Sequence, residues 1–291
     1  MPSTSAPSDE RTTGRSGPGS PILSLRGVSK NFGAVAALTD IDLDIHAGEV
    51  VAVVGDNGAG KSTLVKVLAG VHPPSAGTIA FESHEVTVPT PAAAHALGIA
   101  TVFQDLALCE NLSVVHNLFL GQELRKLRLH EAEMETRSWD LLRQLSAKIP
   151  TVRIPVAALS GGQRQTVAIA RSLLGEPKII ILDEPTAALG VAQTAEVLNL
   201  VERLRDRGLG VIMISHNMAD VLAVCDRVAV LRLGRNNGTF DVAGLSSDQL
   251  VAAITGADDN AVTKRSARSA ATRSTGTSTS GTTTSTHTDG A

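Results

Sequence analysis

Between residues 55 and 63 the chain reads Gly55-Asp56-Asn57-Gly58-Ala59-Gly60-Lys61-Ser62-Thr63, which meets G-x-x-x-x-G-K-[ST] at every fixed position. Residues of these types in this order make a phosphate cradle. The glycines let successive backbone N–H groups turn inward on an anion, and the start of a following helix adds partial positive charge. Lys61 reaches the outer phosphates of a nucleoside triphosphate, and the Ser62 hydroxyl is a ligand for Mg²⁺. A carboxylate pair that complements this loop stands in Ile179-Ile180-Ile181-Leu182-Asp183-Glu184-Pro185. An apolar strand ending in Asp183 delivers a carboxylate to the edge of a sheet, where it holds the Mg²⁺ shell. Glu184 follows at once and points elsewhere, free to orient and polarise an attacking water as general base.

These groups need elements to hold them, and the hydropathy pattern supplies an alternating α/β series. Apolar runs predict strands over 22–29, 35–45, 50–54, 78–82, 100–103, 178–182, 211–215 and 227–233. Helical spacing falls at 61–68, 131–145, 162–174, 191–205 and 217–224. The unbroken runs at 51–54 and 179–182 suit strands buried on both faces by helices. The early strands alternate instead, which predicts an antiparallel layer with one solvated face. Residues 105–158 read as a mainly helical insert between two strand-rich blocks.

Composition bounds what such a protein does. The 291 residues are 43% apolar and 19% charged, with a formal net charge of −3, so no bulk positive charge serves a polyanion. Aromatics make up 2% of the chain and Tyr is absent, which argues against base stacking on single strands; no nucleic-acid partner is expected. Two cysteines, Cys109 and Cys225, exclude a disulfide scaffold and a four-cysteine zinc site. No apolar run approaches the roughly 18 residues of a membrane span, and no signal layout opens the chain. Residues 1–21 and 257–291 are rich in Ser, Thr, Pro and Gly and are expected to be disordered tails around a folded core over 22–256.

A third Gly-rich run narrows the class. In Leu159-Ser160-Gly161-Gly162-Gln163 the Ser160 hydroxyl and the Gly161 and Gly162 N–H groups make a further anion site at a helix start. The run resembles the signature of ABC-transporter ATPases and stands between the phosphate loop and the Asp-Glu pair, as it does there. The resemblance implies an ABC-ATPase form of the P-loop NTPase fold, with an antiparallel β subdomain and an inserted helical subdomain. It implies that Ser160, Gly161, Gly162 and Gln163 close on the γ-phosphate held by another subunit. Gln104 matches the family's glutamine that meets Mg²⁺ and water, and His216 the histidine that contacts the γ-phosphate and supports the Glu–water pair. Phe32 matches the aromatic that stacks on adenine, although a Phe before a turn glycine is often core.

Within the family, Thr186-Ala-Ala-Leu-Gly-Val191, 104–112, 117–121 and 214–218 are similar to bacterial monosaccharide-import ATPases of ribose, xylose and fructose type. The similarity spans about residues 22–255. It implies an ATP-hydrolysing subunit with ATP and Mg²⁺ as cofactors, paired with a second ATPase subunit, most simply a copy of itself. Its further partners would be membrane permease subunits and, indirectly, an extracytoplasmic sugar-binding protein. The expected location is peripheral, at the cytoplasmic face of the membrane. One residue departs from the pattern: Gly190 stands where the family usually has an Asp that ties the two nucleotide sites together. The alternative is a soluble ABC ATPase acting on ribosomes or in repair. The tandem domains, coiled coils and zinc inserts of those types are not visible here, and a kinase or GTPase has no use for the signature.

Overall fold

Two sheets carry the chain in the computed structural model, which describes residues 19–123 and 130–256. The expected tails lie outside the described residues, apart from 19–21. The antiparallel sheet contains β1 (Leu23–Phe32), β2 (Val35–Ile45), β4 (Ala76–Phe81) and β5 (His84–Val86), in the order β2-β1-β4-β5. The second sheet runs β10-β9-β3-β8-β7-β6. Its members are β3 (Val50–Val54), β6 (Ile99–Val102), β7 (Ile179–Asp183), β8 (Gly210–Ile214), β9 (Arg227–Arg232) and β10 (Arg235–Asp241). All its pairings are parallel except the β9–β10 hairpin. The helices are α1 (Lys61–Leu68), α2 (Pro91–Leu97), α3 (Val114–Phe119), α4 (Glu131–Gln144), α5 (Gly161–Leu173), α6 (Val191–Asp206), α7 (Met218–Val224) and α8 (Ser247–Thr255).

The expected α/β architecture with an antiparallel layer holds, and three local expectations change. First, helices cover only one face of the buried strands alone. Val50, Ala52 and Val54 face a core shared with Val167 of α5 and Leu200, Val201 and Leu204 of α6. Val51 and Val53 face a second core, where the antiparallel sheet contributes Leu23, Leu25 and Ile41 beside Leu64 of α1. The alternation of β1 and β2 provides the apolar face that a helix would otherwise supply. Second, the strand expected over 227–233 stops at Arg232. Leu233 and Gly234 both take positive φ, at 49° and 75°, which is the geometry of a tight two-residue hairpin turn. Third, the insert becomes helical only at Val114, where Ser113 caps α3 through the His116 N–H. Met134 and Leu142 of α4 join the same core as β3.

An ion pair fastens the lower ends of the strands. Glu49, just before β3, accepts from the guanidinium of Arg227 at the start of β9 and from the His46 N–H at 2.9 Å. Arg227 Nη2 also donates to the Asp44 carbonyl of β2 at 2.7 Å. Burial alone would raise the Glu49 carboxyl, but the bonds from Arg227 and His46 outweigh it and hold it below its ordinary value. A depressed carboxyl adds stability that is complete above the unfolded value of 4.5 and is lost as pH falls through the folded one. Glu49→Gln is therefore expected to cost about 2 kcal/mol at pH 7, the range of hydrogen bonds to charged groups. Thermal melts across pH check this: the gap to wild type should close below pH 4.5, and a constant gap would remove ionisation as its cause.

Candidate functional site: a phosphate-loop cleft

Four parallel strands end in step, and each delivers a chemically active group just beyond its last residues. The register pairs Val53 with Ile214, Ile214 with Asp183, and Leu182 with Val102. Beyond those positions lie the phosphate loop after β3, His216 after β8, Glu184 after β7 and Gln104 after β6. This is the carboxyl edge of a parallel sheet, where ligands of open α/β folds bind. A cavity of about 550 Å³ opens there, lined by Asn57–Thr63 of the loop together with Gln104, Asp183 and Glu184.

The loop is shaped by close approaches. A Cβ on Gly55 would stand 2.2 Å from the Leu231 carbonyl oxygen, and one on Gly60 would stand 2.7 Å from Leu38 Cδ2. Gly60 also takes φ 103° and opens α1 without any side-chain cap or acidic residue in the first turn. The first N–H groups of α1 are left for an anion. Lys61 Nζ donates to the Gly55 and Asp56 carbonyls of its own loop at 2.6 and 3.0 Å. Asp183 is half-buried. Its burial, and then the nearby Glu184 carboxylate, push its carboxyl up, while Lys61 and Lys66 pull it back. A cation beside Asp183 would relieve that pressure, so the donor set of Ser62, Asp183 and Gln104 suits a hard divalent ion.

Glu184 takes the left-handed conformation at φ 52°, and its N–H donates to the Ile214 carbonyl at 3.0 Å. The side chain turns toward the neighbouring strand, where Glu184 Oε2 lies 2.8 Å from His216 Nδ1. The glutamate side chain is 15% exposed and the histidine 72%, so a largely covered carboxylate is held by an imidazole at the rim. Glu184 and Gln104 also line a neighbouring cleft with Gly161 of the signature run.

The other sequence-predicted residues fall outside the phosphate cleft. Ser160 caps α5: its hydroxyl accepts from the Gln163 N–H at 3.3 Å, and Gln163 Oε1 accepts from the Ser160 N–H at 2.9 Å. Gln163 Nε2 donates to the Lys148 carbonyl at 2.7 Å, so both ends of this amide serve the cap and its anchor rather than pointing outward. Gly162 is buried against Gln193 of α6. Phe32 is 44% exposed at the end of β1, edge-on to His72 with ring centroids 5.2 Å apart; Val35, its cross-strand partner, lines the cleft instead. Ala36, Ala37 and the Leu233–Gly234 turn complete that wall. Nothing local in the sequence marks them, since they arrive from two strands distant along the chain.

Residues 38–187 match the family model described as ABC transporter. The chain is 46% identical over 217 residues to the xylose/arabinose import ATP-binding protein XylG of Sulfolobus acidocaldarius, covering 74% of this chain and 86% of that one. It is 42% identical over 248 residues to the fructose import ATP-binding protein FrcA of Rhizobium meliloti, covering 82% and 95%. Among solved structures it is similar to a dimeric ATP-binding cassette in a post-hydrolysis state bound to ADP and Pi. That match has a TM-score of 0.65 and 25% identity, covering 77% of this chain and all of the other.

The raised Asp183 carboxyl has a direct consequence. A folded carboxyl that takes its proton more readily than the unfolded one, whose value is 3.8, costs stability once ionised. Asp183→Asn should therefore melt no lower than wild type at pH 7 in the absence of nucleotide. Any gain should vanish below pH 3.8, where both forms of the wild-type carboxyl are protonated. Calorimetry of the two proteins checks this, and a clear destabilisation by the Asn at pH 7 would contradict it.

Proposed function

The chain belongs to the ABC transporter family of ATPases, and from that membership we propose that it is the ATP-hydrolysing subunit of a monosaccharide importer. The single observation that carries the reading is the cleft itself. An uncapped helix start with Lys61, the half-buried Asp183 carboxyl that burial pushes up, and the Glu184–His216 pair meet at one sheet edge. The similarity to XylG and FrcA, both named import ATP-binding proteins, supports sugar import over the soluble ribosome- or repair-associated alternative.

In this reading the loop N–H groups from Gly55 to Thr63 and the Lys61 ammonium bind the phosphates of ATP. Ser62, Asp183 and Gln104 would hold Mg²⁺, which would supply neutralisation of the phosphate charge. Glu184 orients water against the γ-phosphorus and takes its proton as the new P–O bond forms; the β–γ bridging oxygen leaves with ADP. His216 fixes the Glu184 carboxylate in place. Phe32, outside the phosphate cleft but next to Val35 of its wall, meets the adenine in this reading.

Ser160 and Gly162 lie outside the cleft of their own chain, which supports a second subunit whose signature helix completes the site; the dimeric relative bound to ADP and Pi supports the same arrangement. A groove of about 300 Å³ on the other side of Asp105–Ala107, with Val71, Phe103 and Leu120 exposed in it, is the surface we assign to the permease. Among the described residues no helix is long and apolar enough to cross a membrane; the peripheral location on the cytoplasmic face is proposed from the similarity to import ATP-binding proteins. The sugar-binding protein acts through the permease.

Glu184→Gln should bind ATP and hydrolyse it roughly 10²–10⁴-fold more slowly, the span of general-base catalysis. Lys61→Ala should instead lose nucleotide affinity, because phosphate charge is left uncompensated. Nucleotide titration and phosphate release separate the two, and undiminished turnover by Glu184→Gln would end the general-base assignment. Sharing of sites is tested by mixing Ser160→Arg with Lys61→Ala. Each alone should be inactive, while the mixed dimer holds one intact composite site and should regain part of the activity.

A further inference from the structure

Asp220 is a buried carboxylate that the hydrolytic reading leaves without a task. It is 6% exposed, in the first turn of α7, one turn beyond His216. Its Oδ2 accepts a hydrogen bond from Thr186 Oγ1 at 2.7 Å. Thr186 lies two residues after Glu184 in the chain leaving β7, and α7 follows His216 in the chain leaving β8. The bond therefore joins the two segments that present Glu184 and His216 to one another.

Two other contacts span these segments, and neither reaches α7. The His216–Glu184 contact depends on an imidazole that is 72% exposed and open to competition from water. The Glu184 N–H to Ile214 bond fixes one backbone point, at a residue held in the left-handed region. The hydroxyl–carboxylate bond is half-buried and ends on a buried acceptor, so it resists water better than the rim contact and sets the spacing of the segments. On the His216 side the spacing is passed on by a rigid corner. Buried Ser215 accepts the Asn217 N–H at 3.0 Å, and Asn217 caps α7 through the Ala219 N–H at 3.1 Å. Moving α7 moves the His216 backbone.

We infer that Asp220 is a positioning residue for the Glu184–His216 pair, acting through Thr186 from a buried site. The inference rests on the hydrolytic reading of Glu184, and its test separates the two. Thr186→Val keeps the shape and removes the donor; Thr186→Ser keeps the donor. Steady-state ATPase kinetics of the full-length protein with Mg-ATP should show kcat for Thr186→Val falling about tenfold or more. Its KM should stay within about twofold, because the phosphate loop is untouched. Thr186→Ser should retain near wild-type kcat. Asp220→Leu, which removes the acceptor where Asn would keep an amide oxygen, should fall like Thr186→Val, and the double variant should fall no further, as expected when two residues share one interaction.

Wild-type kcat in Thr186→Val would overturn the inference, as would an additive double variant. Where the valine packs poorly, Thr186→Ala carries the same comparison. Loss of the folded state in both variants, seen by melting, would also overturn it, since the bond would then be a folding determinant. Glu184→Gln is measured alongside. Turnover by Glu184→Gln removes the reading on which the inference rests. An inactive Glu184→Gln beside a fully active Thr186→Val removes the positioning role alone.

Discussion

The loop between β3 and α1 runs in contact with two other backbones, and the rest of the site depends on that fit. At Gly55 a side chain would meet the β9 carbonyl of Leu231, and at Gly60 it would meet the Ala37 carbonyl at 2.9 Å as well as Leu38 of β2. At Gly234, in the turn after β9, a Cβ would likewise stand 2.7 Å from the Ala37 carbonyl oxygen. Backbone bonds lock this three-way junction: Thr39 N–H donates to Gly234 O at 2.7 Å, and Gly234 N–H to Ala59 O at 3.1 Å. The antiparallel sheet is therefore more than a lid on the second core. It forms one wall of the cleft and fixes the direction in which the loop N–H groups and Lys61 face.

That junction is held still by a sheet whose central strand is wholly covered. Every residue of β3 is buried, with alternate side chains entering two separate cores. Close-packed interiors resist displacement, so the ends of β3, β6, β7 and β8 keep their common level. The register at that level decides which chemistry meets. A slip by one residue would turn each end residue to the opposite face. Asp183, paired with Ile214, would no longer sit beside the loop, and Glu184 would lose its reach to His216.

The parts of this arrangement that were legible in the sequence are contiguous. The phosphate loop, the Asp183–Glu184 pair and the signature run each declare a local geometry, and the strands that precede them are unbroken apolar runs. Other elements carried local signals too short to stand out. Thr90 and Pro91 make a cap and first turn for α2, and Ser246 with Gln249 makes a capping box for α8 ahead of Gly256. Strand β5 has three residues, too few for periodicity to show. The clasp between Thr186 and Asp220 depends on residues 34 apart in sequence, and on where α7 lies once β7 and β8 have paired. No pattern within either segment contains it. The cleft wall at Val35–Ala37 has the same character.

What remains in the cleft is a set of local choices that folding alone would not favour. Helix α1 begins without a cap, whereas α5 closes its own start with the Ser160–Gln163 box. The Asp183 carboxyl is pushed up by burial and by Glu184, and Glu184 itself holds a left-handed backbone that costs about 1 kcal/mol or more in a residue with a side chain. Each feature is a defect when read against stability, and the first two are of the kind that an anionic ligand with its divalent cation would repair. Loose N–H groups would find phosphate and the carboxylate a cation, while the left-handed turn aims Glu184 at the neighbouring His216 rather than into solvent. Their concentration at one sheet edge, above two close-packed cores, distinguishes a site built for ligand from an ordinary surface loop.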